Sequence, residues 1–574
     1  MVDFADTDTL AADFQLRGGQ PGLAYGIVID GELVHAAGFG ELCLGGPVPD
    51  ADTVFRIASM TKSFTASAVL ALRDDGALRL DDPAEEYVSE LRGWPPVTRH
   101  SVPVSLRHLL TMTAGFPTDD PWGDRQQGLP LEEFAAFLAG GVSFARAPGI
   151  RFEYSNLGYA ILGRVITAVT GAAYQDYIRD RLLRPIGMTR TGFEAAEFGA
   201  GLAGGYRRAP DGWSQVAFEP CGAFAPMGGI FSCVRDLARW VDGFAAAFPP
   251  GDAGDLEARH PVRPATRREM QLPQVLTGWD RPGFPGEVGA AQLTAYGFGL
   301  FVGEDPACGR VVSHSGGYPG FGSNMRWHPD TRTGVIALGN GTYSGMQTLA
   351  ARILPAVLRR TGSQGPASGP WPQTLTARDK VSRLLRSWDD AEADRLFSAN
   401  VAQDVPFAER RMVIAVIRDR IGDFRDDGDR PPEFDTPAHC RWWLAGEHGV
   451  VQVQIQLTPE HEPRVQSLTL AVPAAAGSPL RGTLDALIGW LNGTDRDWPA
   501  AIAVDDTVDA GLLARRLRMA SVWAGECRLT AWKAGDGAAS ATVELTGEHA
   551  GLTLALLVDP ASGVLRQADV TPDR

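Results

Sequence analysis

Ser59 and Lys62 stand three residues apart in the string FRIASMTKSF, which runs from Phe55 to Phe64. On a helix, residues i and i+3 share a face, so the ammonium can reach the serine hydroxyl. A lysine crowded out of water can lose its proton and act as a base toward that hydroxyl, whereas an arginine stays charged. The chain otherwise avoids lysine: of 53 basic residues only Lys62, Lys380 and Lys533 are not arginine, and Lys62 is the only lysine in residues 1–374. A helix starting at Ser59 would also favour negative charge developing there. The pair predicts a nucleophilic serine with its own amine base. The bland alternative is a surface lysine beside a helix-capping serine.

Tyr154-Ser155-Asn156 lies between a Pro148-Gly149 turn and a helix expected from Leu157. A phenol at a helix entrance can relay a proton, and an asparagine can hydrogen-bond a substrate carbonyl or amine. Alone, the pair is equally a helix cap. His314-Ser315-Gly316-Gly317 ends an apolar strand. Glycine there leaves the strand edge open to a substrate backbone. The N–H of Gly317 can join that of Ser59 as an oxyanion hole. A lone histidine at a strand end also suits simple packing. The three elements fall in the order Ser-x-x-Lys, Tyr-x-Asn and His-x-Gly, 95 and 160 residues apart.

With these motifs in that order, the chain resembles the serine β-lactamase and penicillin-binding-protein superfamily. It is most similar to the class C-like branch of esterases, D-aminopeptidases and D-alanyl-D-alanine carboxypeptidases. The resemblance covers about residues 10–360 and includes DTVFRIASMTKSFTA, SLRHLLTMTAGF, FEYSNLGYAILG, PMGGIFSCVRDLARW and HSGGYPGFGS. It implies that Ser59 is acylated, that Lys62 and Tyr154 share general-base and proton-shuttle work, and that Asn156 binds the substrate amide. His314 takes the place of the lysine that many β-lactamases carry in the third motif, and Gly316 keeps the strand edge open. A mostly neutral histidine holds a substrate carboxylate weakly at pH 7. The expectation is therefore a serine hydrolase of small-molecule or peptide esters, amides or D-amino-acid peptides. β-Lactamase activity should be weak or absent, and neither cofactor nor metal is expected. Two other readings stay open: acyl transfer to an amine, including peptide cyclisation by a thioesterase of this type, and a non-catalytic protein working through its C-terminal half.

The elements that must position these groups read as follows. A hairpin is expected at 22–30 and 32–37 around Asp30-Gly31. Helices follow at 59–75, 105–113, 130–139, 155–170, 173–184 and 233–244, then strand-like stretches at 295–303, 310–316, 322–327 and 333–338, and a closing helix at 344–360. That order is α+β: an antiparallel sheet of the β-lactamase/transpeptidase-like kind built from both ends of a domain, with helices on both sides and an all-helical insert. Domain boundaries are expected at 1–360, a Gly/Pro/Ser-rich linker at 361–374, and two α+β repeats at 375–474 and 479–574. The repeat shows as Leu444-Ala-Gly-Glu-His448 against Leu545-Thr-Gly-Glu-His549, and as LRSW (Leu385–Trp388) against LIGW (Leu487–Trp490). Each module is expected to resemble the small cone-shaped nuclear-transport-factor-2/cystatin type and offers a surface for homo-oligomer formation. Gly-Glu-His is expected to mark a turn with solvated Glu and His.

Composition bounds the rest. The 574 residues are 44% hydrophobic and 21% charged, with a net charge of −16, which is globular and disfavours nucleic acid as a partner. No apolar run approaches a membrane span of about 20 residues. The first residues are acidic without an apolar leader core, and the six cysteines are scattered without C-x-x-C, so a cytoplasmic protein with reduced thiols is expected. Gly199-x-Gly201-x-x-Gly204 matches a dinucleotide fingerprint without the strand and acid it needs. The loop 115–127 (GFPTDDPWGDRQQ) is acidic, which points toward a cationic or amine-bearing substrate.

Overall fold

The computed structural model describes residues 4–248, 260–280, 292–305, 309–361, 370–493 and 498–572. They fall in two compact units, Met1–Pro366 and Ala367–Arg574.

In the first unit, β1 (Gly22–Ile29) and β2 (Glu32–Gly40) form the expected hairpin. Asp30 and Gly31 both take positive φ (49° and 85°), as a type I′ turn requires. Three short pieces come next: β3 (Phe55–Arg56), the ribbon β4 (Gly205–Ala209) with β5 (Gly212–Val216), and β6 (Phe231–Ser232), which pairs with β3. The main sheet is completed by β7 (Val275–Asp280), β8 (Gln292–Tyr296), β9 (Phe301–Asp305), β10 (Gly309–Tyr318), β11 (Phe321–His328) and β12 (Thr333–Gly339). Its order is β2-β1-β12-β11-β10-β9-β8-β7, antiparallel throughout.

Both faces of this sheet are covered, so β12 (TGVIALG) is buried at every residue instead of alternating. One face carries α1 (Ala5–Leu16) and α5 (Met346–Thr361) over Leu23, Tyr25, Ile27, Val335 and Ala337. The other carries α2 (Thr61–Asp74), α3 (Asn156–Thr170), α4 (Val234–Ala245) and shorter helices. There Phe64 stacks on Trp240 with ring centres 3.8 Å apart. Helix α2 is buried from Thr61 to Leu72, which makes Lys62 a core residue.

Two expectations change in this unit. The stretch 295–303 is not one strand: β8 ends at Tyr296, β9 starts at Phe301, and Gly299 turns between them at φ 72°. Both strands are apolar here, so hydrophobicity runs unbroken across the turn. A Cβ on Gly299 would lie 2.7 Å from the Lys62 carbonyl oxygen, so this turn packs directly on α2. The helix expected over 173–184 is Tyr174–Ile178, a wider π turn at Arg179–Leu183 and a 3-10 turn that stops at Gly187.

The second unit holds two modules. The first contains α6 (Pro372–Arg386), α7 (Phe407–Ile421) and a sheet β13 (Arg425–Asp426), β14 (His439–Ala445), β15 (Val450–Leu457), β16 (Val465–Ala471). The second contains α8 (Pro479–Asn492), α9 (Ala510–Ala524) and β17 (Arg528–Ala534), β18 (Ser540–Thr546), β19 (Gly551–Val558), β20 (Leu565–Pro572). Strands β15 and β19 share one burial alternation, apolar side chains facing a separate core in each module. Both Gly-Glu-His strings sit at the β14–β15 and β18–β19 turns with Glu and His exposed. The LRSW/LIGW match does not carry over: Trp388 lies beyond the end of α6, whereas Trp490 is inside α8. The offset is 101 between β14 and β18 but 107 between α6 and α8, because the helical parts differ in length. Helix α6 starts at Pro372, inside the stretch expected as linker; residues 362–369 lie outside the described residues.

Candidate active site

The turn that presents Ser59 is fixed from both sides. Residues Phe55 and Arg56 pair with Ser232 and Phe231, and the Ile57 N–H donates to the Ile230 carbonyl at 3.0 Å. The Ser323 hydroxyl on β11 donates to the Ile57 carbonyl at 2.7 Å. The guanidinium of Arg56 lies between the rings of Phe231 and Tyr318 (4.6 and 4.4 Å), tying the strand before Ser59 to the residue after Gly317. Ala58 sits at φ 47°, a left-handed conformation costing a non-glycine residue about 1–2 kcal/mol. Ser59 follows in the 3-10 turn Ala58–Met60 that opens α2.

Lys62 is 0% exposed. Its Nζ makes three hydrogen bonds: to Ser59 Oγ at 2.8 Å, Asn156 Oδ1 at 2.7 Å and the Met227 carbonyl at 2.9 Å. Two of these partners can only accept, so they hold two N–H groups whatever the charge. Only the position toward Ser59 changes: an N–H when the amine is protonated, a lone pair when it is neutral. Protonation therefore switches Lys62 between donor and base along one direction. Burial pushes its pKa down to about 8, against the opposing pull of Asp120, Asp124 and Asp119.

Tyr154 lies beside the Ser59 side chain on the wall of the same cavity, and burial raises its phenol well above the ordinary value. The Lys62 Nζ stands 4.9 Å from its ring centre. Serine, amine and phenol thus form one contiguous group.

Asn156 starts α3, and the loop residue Asp119 caps that helix. The Asp119 carboxylate accepts from the N–H groups of Asn156 (2.6 Å) and Leu157 (2.9 Å) and from the Ser155 hydroxyl (3.0 Å). Asn156 was expected to hold the substrate amide, yet both ends of its side chain are engaged. Oδ1 accepts from Lys62, and Nδ2 donates to Asp120 Oδ1 at 2.9 Å. Asp120 can only accept here, which fixes the orientation of the amide.

His314 is buried behind Tyr154 and bonds neither Ser59 nor Lys62. Its Nδ1–H donates to the Ser315 carbonyl at 2.7 Å, and Nε2 accepts from the Tyr296 hydroxyl at 3.2 Å. Burial, with the Lys62 charge nearby, lowers its pKa to about 3, so it stays neutral at any ordinary pH. It is a packing partner of Tyr154, Tyr296 and Phe301, not a cation for a carboxylate.

Gly316 crosses the Ser59 turn so closely that a Cβ would overlap the Ile57 carbonyl oxygen and the Ser323 hydroxyl. This brings Gly317 to the same cavity as Ser59. The cavity, about 500 Å³, is lined by Ser59, Asp120, Tyr154, His314, Gly317 and Tyr343 among others. Strand β10 pairs with β9 only as far as Ser313, so from His314 to Tyr318 that edge carries no strand among the described residues. Asp124, also on the acidic loop, is buried and accepts from the Tyr343 hydroxyl at 2.8 Å; burial pushes its carboxyl up to about 6. Sequence reasoning marked the loop as acidic but not the separate places of Asp119, Asp120 and Asp124, nor the carbonyl of Met227.

The family model "Beta-lactamase" matches residues 7–358. "Protein flp" of Staphylococcus aureus is 25% identical over 339 residues, covering 58% of this chain and 62% of that protein. The chain thus spans less than two thirds of that relative's length. The D-alanyl-D-alanine-carboxypeptidase/endopeptidase AmpH of Escherichia coli is 26% identical over 336 residues, covering 56% of this chain and 79% of that protein. Among solved structures, the octameric penicillin-binding protein homologue from Pyrococcus abyssi superposes with a TM-score of 0.53 at 23% identity, covering 80% of this chain and 97% of that one. That span exceeds the first unit, so part of the second unit also has a counterpart in the fold. The chain belongs to the β-lactamase family.

Proposed function

We propose that the protein is a serine hydrolase that forms an acyl-enzyme on Ser59 and cleaves an ester, an amide or a D-amino-acid peptide bond. The observation that carries this reading is the buried Lys62, whose amine is held by two acceptors and aimed at Ser59 Oγ. Ser59 Oγ attacks the carbonyl carbon as its proton passes to the neutral amine. The N–H groups of Ser59 and Gly317 hold the oxyanion. The tetrahedral intermediate collapses as the leaving group takes a proton from Lys62 through Tyr154. Water then attacks the ester as it gives a proton to Lys62 by the same route, and Ser59 Oγ takes that proton as the acyl C–O bond breaks and the acid leaves. The neutral His314 gives a substrate carboxylate no cationic anchor, which supports weak or absent β-lactamase activity. Similarity to an octameric homologue supports a homo-oligomer.

Intact-mass spectrometry after reaction with a fluorophosphonate and a penicillin tests the nucleophile. A single adduct located on Ser59 is expected with the fluorophosphonate. No adduct with either reagent, together with full turnover of a p-nitrophenyl ester by Ser59→Ala, would sink the proposal. Product analysis with an added amine separates hydrolysis from acyl transfer.

A further inference from the structure

Three carboxylates reach the site from one loop, and the structure gives them different surroundings. Asp119 is occupied by the backbone of α3 and by Ser155. Asp124 is buried against Tyr343. Asp120 alone is exposed, and it lines the cavity beside Ser59 and Tyr154.

Asp120, not Asn156, faces the cavity on this wall. The Asn156 oxygen is held by Lys62, one amide N–H is turned to Asp120, and the side chain is fully buried and not among the residues that line the cavity. What remains is a carboxylate: an acceptor with negative charge. An acyl group whose neighbouring nitrogen is itself acylated brings a carbonyl oxygen and needs a donor. One whose neighbouring nitrogen is a free ammonium brings three donors and a positive charge and needs an acceptor.

We propose that Asp120 is the specificity-determining residue of this site and reads a free ammonium beside the scissile carbonyl, so that the substrates are aminoacyl esters and amides of aminopeptidase type. The proposal rests on the acyl-enzyme reading above. It also links binding to chemistry. Among the neighbouring charges, Asp120 does most to keep Lys62 protonated. An ammonium seated on Asp120 neutralises that charge and adds a positive one, and both effects drive Lys62 toward the neutral amine that attack on the substrate needs. The right substrate thereby helps arm the base.

The test compares D- and L-alanine p-nitroanilide with their N-acetyl forms, in the full chain and in Asp120→Asn and Asp120→Glu. A charge-assisted hydrogen bond of this kind corresponds to a preference of about 10- to 150-fold. The wild type should favour the free amine by that factor in kcat/KM for the enantiomer it accepts. Asp120→Asn should collapse the ratio toward one, and Asp120→Glu should restore part of it. Using the ratio removes any general loss of activity in the variants, and fluorophosphonate labelling of Ser59 shows that each variant is folded. Labelling with a wild-type ratio near or below one, or a ratio unchanged in Asp120→Asn, overturns the proposal alone. No labelling of the wild type overturns the acyl-enzyme reading and this one with it.

Discussion

Replacing Lys62 should remove a pH limb that the structure assigns to it. The folded value is about 8, against 10.5 in water. About a tenth of the molecules then carry the neutral amine at pH 7, half at pH 8 and about nine tenths at pH 9. With the neutral amine as base, kcat/KM for an uncharged p-nitrophenyl ester rises about fivefold from pH 7 to 8 and about tenfold from pH 7 to 9, then levels. Lys62→Arg keeps the charge but cannot surrender a proton, so the limb should vanish and activity should fall by about 10² or more. The lysine also leaves a mark on stability. Its folded pKa lies below its unfolded one, so between about pH 8 and 10.5 the folded chain binds fewer protons and stability rises with pH. Below pH 8 the full cost, about 3 kcal/mol, is present. Lys62→Met removes that cost but strands the Asn156 oxygen and the Met227 carbonyl, about 1–3 kcal/mol for each group left buried and unpaired. The Met variant should therefore be inactive yet lose only modest stability at pH 7. Relative to wild type it should lose a further ~2–3 kcal/mol by pH 10, because only the wild type gains over that range. Stopped-flow ester hydrolysis from pH 6 to 9 and urea unfolding at pH 7 and 10 read both effects. A wild-type profile that is flat or falling from pH 7 to 9, or a Lys62→Arg enzyme with more than about a tenth of wild-type activity at pH 7, refutes the assignment.

Tyr154→Phe removes the phenol beside Ser59 and should lower kcat by about 10²–10³ with little change in Tm, measured by ester turnover and thermal melts. Gly316→Ala drives a methyl into the Ile57 carbonyl and should cost about 1–3 kcal/mol in urea unfolding, with an activity loss of about 10² from the displaced Gly317. Because His314 is already neutral above about pH 3, His314→Gln should leave the limb near pH 8 in place, and a pH profile that loses that limb would count against it. A chain ending at Pro366 retains every residue of the site and should still label at Ser59, as intact mass would show.

The serine–lysine pair was legible because its chemistry needs a fixed helical spacing and because a chain so poor in lysine makes one lysine conspicuous. Tyr154, His314 and the glycine pair were legible only as ordered strings. What escaped were groups whose roles are set by the third dimension. The carbonyl of Met227 carries no sequence signal at all. Asn156 looked like a substrate ligand, since nothing in its neighbours says that Asp120 folds back onto it. The turn at Gly299 was hidden because both flanking strands are buried, so apolar character continues through the turn instead of marking it. In the repeats, β14–β15 and β18–β19 kept their spacing because a one-residue slip would turn each apolar row outward. The helices, free to slide, did not.

The edge of β10 beyond Ser313, which carries no strand among the described residues, has a cost as well as a use. An unpaired strand edge is a template for any extended chain, which is how sheets recruit one another into aggregates. Here the stretch without a neighbouring strand among the described residues is short, from His314 to Tyr318, and two of its residues are glycines with no side chain to grip a partner. Such an edge can hold a few residues of a small molecule or short peptide but offers too few rungs to zip onto a folded neighbour. The edge proposed to admit substrate would thus also give a second copy of the chain little to template on.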